Sequence, residues 1–581
     1  MTATADGQEV DRLRVSAKRP DKLLVWALLT TVVLTLSACI IRPFSEENSH
    51  PDIPLDKGIN NTNASEKPPL DKNRNPEESY FIGLALSGGG SRAANFSAAV
   101  MLKLHELGVL EHVQYISSVS GGSLPAAYYA LFQNDEQKWK KKTQEEMEKT
   151  LKDVFSQNFE EWAVNYQVRS PGRWIKQLTS SYDRTDIMAE VFEDILYADA
   201  KKFSDLPAKP RLFINATNYV LGNDSFTFTN ENFNKLHANL AELAIGKAVA
   251  TSAAFPGLLR TSTFADYTTH CRKEGDENSK CEDNKKYLHL FDGGVTDNLG
   301  IDSLLRVHKE LVREKYENKK DAFPGGCLII AVDAYSPYDN QFDADRPDTR
   351  KWNDLFFIDI NNAQNAFNIL LQTKRRSNHE SLGFDQAHFE HAVRSNRPIG
   401  LLENLKTELV SSNPAKTYGV RSVIQKKRGD CRIWHIAFTQ LQHWKLKGLT
   451  GKGKKIIGGK ETASKICSEY NAQGVETENK ICSQYNAQLD ERYKDLFRKY
   501  LASKLELGDM HIPSEKELKY LKNYDLEGYS NLLNKIETRF RISSMDQELL
   551  YMAAHLLVNE KTSKETICQW VQKITKHGCK H

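Results

Sequence analysis

From residue 80 onward the chain alternates two apolar patterns. Tyr80-Phe81-Ile82-Gly83-Leu84-Ala85-Leu86 is short and continuously apolar, the pattern of a strand buried on both faces. Residues 92–107 then place Ala99, Leu102, Leu104 and Leu107 at helical spacing and stop at Gly108, a residue suited to a C-cap. Residues 113–119 repeat the strand pattern and 124–132 the helical one. Strand, turn and helix, twice over, predict a parallel α/β architecture. The alternation continues with strands over 211–219, 287–291 and 327–334 and helices over 240–254 and 301–316, so the sheet is expected to hold five strands or more.

Other stretches depart from that alternation. Residues 135–180 are charged and carry Trp139, Trp162 and Trp174, with helical spacing through 139–159; a lid or lipid-facing cap and a solvated insertion helix both fit. Residues 361–376 and 401–410 read as helices, and 432–438 as a late strand completing the same domain. Residues 442–489 form a basic, glycine-interrupted linker that runs into a repeat, Lys465-Ile466-Cys467-Ser468-Glu469-Tyr470-Asn471-Ala472-Gln473 against Lys480-Ile481-Cys482-Ser483-Gln484-Tyr485-Asn486-Ala487-Gln488. Two copies are too few for a solenoid and fit a local duplication in a helical hairpin. Residues 490–581 follow an amphipathic helical pattern, as over 493–505 and 546–558, and form an α-helical extension.

The amino terminus changes the picture of where the chain works. Arg12, Arg14, Lys18, Arg19 and Lys22 precede an apolar run over 23–35, and Leu36-Ser37-Ala38-Cys39 follows. The run is short for a membrane span, and the order of basic, apolar and small residues resembles a bacterial lipoprotein signal over 1–39 with Cys39 as the lipidated residue. An uncleaved amino-terminal anchor is the competing reading. Either one holds the body of the protein at a membrane, outside the cytoplasm, in the bacterial cell envelope. Ile40 stands where an aspartate often retains such lipoproteins at the inner membrane, which leans the expectation to the periplasmic face of the outer membrane. Residues 40–79 are polar, rich in Pro, Asn, Asp and Lys, and read as a disordered tether.

Composition narrows the classes further. The 581 residues exceed one ordinary domain, and 79 Lys and Arg against 76 Asp and Glu give +3, a balance that argues against a nucleic-acid partner. Setting Cys39 aside leaves eight of the nine cysteines, with Cys271 near Cys281, Cys467 near Cys482 and Cys568 near Cys579. Disulfides suit that compartment, their pairing stays open, and no metal-ligand spacing accompanies the cysteines, so neither a metal nor another cofactor is expected.

Candidate chemistry lies at two turns about thirty residues apart and at one later strand end. Ser87-Gly88-Gly89-Gly90-Ser91-Arg92 and Ser118-Val119-Ser120-Gly121-Gly122 each sit where a strand hands over to a helix. Such a turn exposes its side chain and aims backbone N–H groups at whatever lies above, which favours negative charge. The triple glycine alone would also fit a dinucleotide loop, but the next strand ends in Ser117-Ser118-Val119-Ser120 without the carboxylate such a site requires. Ser120 alone would fit an N-cap, and Asp292 alone a turn aspartate. Together, Ser120 suits a nucleophile and Asp292, opening Asp292-Gly293-Gly294, suits the base that takes its proton.

On these three ordered motifs the chain resembles the patatin-like phospholipases, lipid acyl hydrolases that work with a Ser-Asp dyad. Ala250-Thr251-Ser252-Ala253-Ala254-Phe255-Pro256-Gly257 is similar to a fourth block of the family. The likeness covers roughly residues 79 to 340. It implies a patatin-like, three-layer parallel-sheet hydrolase domain over 80–441. It also implies catalytic Ser120 and Asp292, an oxyanion hole at Gly88, Gly89 and Gly90, supporting roles for Gly122 and for Arg92, which would place the loop or a lipid phosphate, and a membrane phospholipid or other lipid ester as substrate. Ser87, Ala93 and Ser118 depart from the family, which has Asp, Gly and Gly there; none of the three removes a reacting group. The departures are the support for an alternative, a non-catalytic envelope scaffold whose helical tail binds a partner. An esterase or transacylase acting on soluble or peptidoglycan-linked acyl groups is a third reading.

Overall fold

The computed structural model describes residues 80–140, 143–197, 201–219, 225–256, 258–267, 286–317, 323–335, 401–402, 431–437, 440–441, 533, 536, 538–559 and 561–579. The expected signal and lipidated Cys39, the tether, the 361–376 helix, the basic linker with its repeat and the 493–505 helix lie outside these residues, as do Cys271, Cys281, Cys467 and Cys482. The chain divides into two units; one spans 46–169 and 183–581, and the other is described over 170–182 alone.

In the large unit a nine-stranded sheet runs in the order β5-β6-β3-β2-β1-β7-β9-β8, with β4 paired to β3. Its parallel centre consists of β1 (Tyr80–Leu86), β2 (Tyr115–Val119), β3 (Arg211–Asn218), β7 (Gly326–Asp333) and β9 (Cys431–Ala437). β4 (Ser225–Thr227), β5 (Ser262–Asp266), β6 (Lys286–Asp292) and the two-residue β8 (Leu401–Leu402) add antiparallel pairings at the margins. The continuous apolar runs are explained by burial on both faces. Ile82, Leu84 and Leu86 of β1 join one core cluster with α1 (Gly90–Glu106) and α2 (Ser123–Phe132), while Phe81 and Ala85 meet Leu304 and Leu311 of α8 (Asp302–Glu317) in the other. Helices on both sides of the sheet give a three-layer α/β architecture.

Strand register determines where the chemistry can sit. β1 and β2 are parallel, with Leu86 opposite Ser118, so the turn after each strand leaves the sheet at the same edge. β3 continues the alignment through Val119 opposite Asn215. β6 runs antiparallel to β3 at the margin of the mostly parallel sheet; apolar periodicity reports burial and not strand direction. The overlap is only Leu290–Asp292 against Ala216–Asn218, so Asp292 still arrives near the carboxyl end of β3.

Two helical expectations are also redrawn. The stretch expected as one helix over 139–159 is split into a π-helical turn at Glu136–Lys140 and α3 (Gln144–Phe155), which starts at a capping box: the Glu146 N–H donates to Thr143 Oγ1 at 3.3 Å and the Thr143 N–H to Glu146 Oε2 at 3.0 Å. α4 (Phe159–Arg169) follows as a separate helix. Trp139 is buried in the core, away from any lipid-facing position. Leu401 and Leu402 pair with Trp434 and Ile433 as a strand, instead of opening a helix. In the small unit, α5 (Pro171–Thr179) exposes Trp174, Ile175 and Leu178, and the Lys176 ammonium stands 4.1 Å over the Tyr182 ring. Among the described residues no helix is long and apolar enough to cross a membrane.

Two further helices, α6 (Arg184–Ile195) and α7 (Ile245–Ser252), pack on each other. The described carboxyl-terminal helices, α9 (Ser544–Val558) and α10 (Lys561–Thr575), are part of the same core: Leu549, Leu550, Ala553 and Leu557 share one cluster with Ala94, Ala98 and Met101 of α1. Cys568 and Cys579 form a disulfide beside α10, and Cys327 is disulfide-bonded as well. Because Leu549 is fully buried, Leu549→Ala is expected to destabilise the protein by about 2–5 kcal/mol in urea unfolding. An unchanged midpoint would place α9 outside the cooperative core.

Candidate active site

Ser120 follows β2 directly and holds φ at 49°, a left-handed conformation that a non-glycine residue adopts only when its surroundings enforce it. Two contacts do so. The Ser120 N–H donates to Ser252 Oγ at 2.9 Å, and that hydroxyl donates on to the Asn215 carbonyl at 2.6 Å. Asn215 Nδ2 in turn donates to the carbonyl of Ser118 at 3.0 Å and to Ser117 Oγ at 2.9 Å. Val119 is the N-cap of the 3₁₀ turn that Ser120 opens and Gly122 that of the helix after it, so Ser120 does not stand at an N-cap position. Gly122 supports the elbow by size: a Cβ there would lie 2.5 Å from the Ser87 carbonyl oxygen.

The triple-glycine loop lies against this elbow. The Ser87 N–H donates to the Val332 carbonyl at 3.0 Å, and the Ala334 N–H donates to Ser87 Oγ at 2.8 Å, so the serine at this departure from the family fastens the loop to the end of β7. The Gly88 N–H donates to the Asn298 carbonyl at 3.0 Å, which removes it from the expected set of oxyanion donors. Gly89 and Gly90 have φ of 138° and 58°, and their N–H groups have no partner among the described residues. They are the pair available to an incoming oxyanion.

Arg92 is 1% exposed; its Nε donates to the Ala334 carbonyl at 2.9 Å and its Nη1 to the Ile536 carbonyl at 2.6 Å. A guanidinium buried on two main-chain carbonyls braces the loop and is not placed to meet a lipid phosphate. Of the two roles expected for Arg92, the geometry accommodates only the first.

Asp292 is 4% exposed; its Oδ1 accepts the Gly294 N–H at 2.7 Å, and the Ser120 hydroxyl is the side-chain donor that faces its carboxyl. Burial pushes its carboxyl up to about 6, against the opposing pull of those two donors. Its position is held by main chain: the Asp292 N–H donates to the Ala254 carbonyl at 3.2 Å and the Gly293 N–H to the Ser252 carbonyl at 3.1 Å. Ser252 thus touches both halves of the pair, through its hydroxyl to Ser120 and through its carbonyl to Gly293. The sequence marks it only as part of the 250–257 block, and no local pattern assigns it that role. Asp297 and Asn298 shape the turn after Asp292. The Asp297 carboxylate accepts the N–H groups of Leu299 at 3.1 Å and Asp302 at 2.7 Å, and burial raises its pKa. Among the described residues no group of three His, Cys, Asp or Glu side chains is arranged to hold a metal ion.

An activated serine, a carboxylate of raised pKa and two unengaged N–H groups suit acyl transfer. Residues 84–305 match the family model described as Patatin-like phospholipase. No curated protein matches the chain. Among solved structures, human GIVD cytosolic phospholipase A2 aligns with a TM-score of 0.38 and 13% identity, covering 87% of this chain and 62% of that one, so the chain spans about three fifths of its length. The same human protein in complex with methyl gamma-linolenyl fluorophosphonate aligns with a TM-score of 0.37 and 13% identity, covering 87% and 61% of the two chains. VipD from Legionella pneumophila aligns at 0.21 and 13% identity over 83% of this chain and 92% of that one.

The raised pKa of Asp292 carries a stability prediction. A carboxyl that ionises near 6 when folded and near 3.8 when unfolded contributes stability below about pH 4 and loses it as pH rises through 6. Urea unfolding is expected to show up to about 3 kcal/mol of this loss in the parent between about pH 4 and pH 7, absent in Asp292→Asn. Identical pH profiles for the two proteins would contradict the assigned burial effect.

Proposed function

We propose that the chain, whose residues 84–305 match the Patatin-like phospholipase model, is a lipid acyl hydrolase of phospholipase A type acting through Ser120 and Asp292. The observation that carries the reading is the pairing of the two: a serine held in a left-handed turn, its hydroxyl facing a buried carboxylate of raised pKa. Asp292 takes the proton as Ser120 Oγ attacks the ester carbonyl, and the N–H groups of Gly89 and Gly90 hold the oxyanion of the tetrahedral intermediate. Collapse of that intermediate breaks the ester bond, and Asp292 returns the proton to the departing alcohol. Water then attacks the acyl-enzyme, again giving its proton to Asp292, and the fatty acid leaves with Ser120 restored. The pKa of Asp292 suits both directions of transfer near neutral pH.

The substrate class follows from the family, and a membrane phospholipid is the lipid ester nearest to a chain tethered through Cys39. The lipoprotein-type amino terminus supports anchoring at the envelope, on the periplasmic face of the outer membrane. Labelling of expressing cells with a radioactive fatty acid is expected to mark the parent and not Cys39→Ser; equal labelling would remove the anchor from this account.

Fatty-acid release from mixed phospholipid vesicles tests the chemistry. Ser120→Ala and Asp292→Asn are each expected to lower the rate by about 10³-fold or more while remaining folded. The parent's kcat is expected to rise with pH and level off above about 6, where Asp292 is ionised and able to act as base. Retained activity in either variant would sink the dyad.

A further inference from the structure

The segment carrying Ile536, Arg539 and Phe540 reaches the glycine loop from the far end of the chain. The Arg539 carbonyl accepts the N–H of Ser91 at 2.6 Å, the Ile536 carbonyl accepts Arg92 Nη1 at 2.6 Å, and the Phe540 carbonyl accepts the N–H of Phe159 at 2.9 Å. Ser91 and Phe159 lie at the starts of α1 and α4, where helical N–H groups have no partner within the helix. Gly89, the N-cap of α1, offers no side chain for that purpose. Main-chain carbonyls of one distant segment therefore do for two helices what a capping side chain ordinarily does for one.

The contact is close. A Cβ on Gly90 would lie 2.4 Å from the Arg539 carbonyl oxygen, so the segment lies directly against the loop. It is held there by its own anchors: Ile536 and Phe540 are buried in the main core, and Glu160 of α4 accepts the Phe540 N–H on Oε1 at 3.1 Å and faces Arg541 Nε at 3.7 Å from Oε2. The carbonyls take the Ser91 N–H and the Arg92 guanidinium and leave the N–H groups of Gly89 and Gly90 without a partner among the described residues. A plug over the site would engage those two first.

We infer that this carboxyl-terminal segment is a positioning strap for the oxyanion hole, setting the Gly89 and Gly90 N–H groups through Ser91 and Arg92. The inference rests on the acyl-hydrolase reading above. It assigns the far end of the chain, well outside the 84–305 family match, a part in the proposed chemical step. The strap touches neither Ser120 nor the substrate in this account, so loosening it leaves nucleophile and base in place and weakens stabilisation of the tetrahedral intermediate alone.

Three variants of the full chain test this. Glu160→Ala removes the anchor of the Phe540 N–H from outside the site, whereas Glu160→Gln keeps an acceptor oxygen there. Ser91→Pro removes the donated N–H at a first-turn position where proline suits a helix. Per fluorophosphonate-titrated active site, Glu160→Ala and Ser91→Pro are expected to lower kcat by about tenfold or more with KM within about twofold, and Glu160→Gln to stay within about threefold of the parent. Amide hydrogen exchange over residues 87–95 is expected to accelerate in Glu160→Ala and not in Glu160→Gln. Unchanged kcat in both Glu160→Ala and Ser91→Pro, or a fall in rate without faster exchange in Glu160→Ala, would overturn the strap. A parent that hydrolyses no lipid ester would instead refute the function, and exchange alone then decides the strap: acceleration confined to Glu160→Ala supports it, and no acceleration overturns it.

Discussion

A serine held at φ 49° is the constraint on which the rest of the site depends. A non-glycine residue in that region is strained, and it persists only where neighbouring bonds over-determine it. Here the bonds come from β3 and from the end of α7: Asn215 pins the carbonyl before the turn, and Ser252 pins the turn's own N–H. The same Ser252 fixes the main chain beside Asp292, so Ser120 and Asp292 share one mount. A displacement of α7 would therefore carry both groups together, preserving their contact better than two independent supports would.

The elements that carry the reacting groups were legible in the sequence because they are written locally. An apolar run ending in glycines and a serine between small residues state strand, turn and helix within a dozen positions, and Asp292 ends a run of the same kind. Strand direction was not legible, since the pattern of β6 is the same whether it runs with or against β3. Nor was the loss of Gly88 as a donor, which depends on the carbonyl of Asn298, a residue some two hundred positions away. The role of Ser252 escaped for a similar reason: a serine at a helix end in an apolar block gives no sign of which N–H its hydroxyl will meet.

Electrostatically the site is organised by main chain more than by opposing charge. Asp292 is buried with N–H and O–H donors for company, which leaves it easier to protonate than a surface carboxylate. Arg92, in the glycine loop, is a buried cation whose guanidinium contacts include two backbone carbonyls. A buried charge satisfied this way is costly to disturb, because any shift strips partners that water cannot replace. That cost gives the glycine loop rigidity, although its own residues are those with the greatest conformational freedom.

The bond from Arg92 to the Ile536 carbonyl joins residues 444 apart in the chain. A ribosome making this protein completes the nucleophile elbow and the whole of the sheet's parallel centre long before residue 536 emerges. Until then the N-terminus of α1 lacks its distant partner, and contacts of such sequence separation form late and slowly. The nascent chain thus carries serine and aspartate together through more than two hundred further residues of synthesis with the loop beside them unbraced, so the arrival of residues 536–540 times when the loop is first braced.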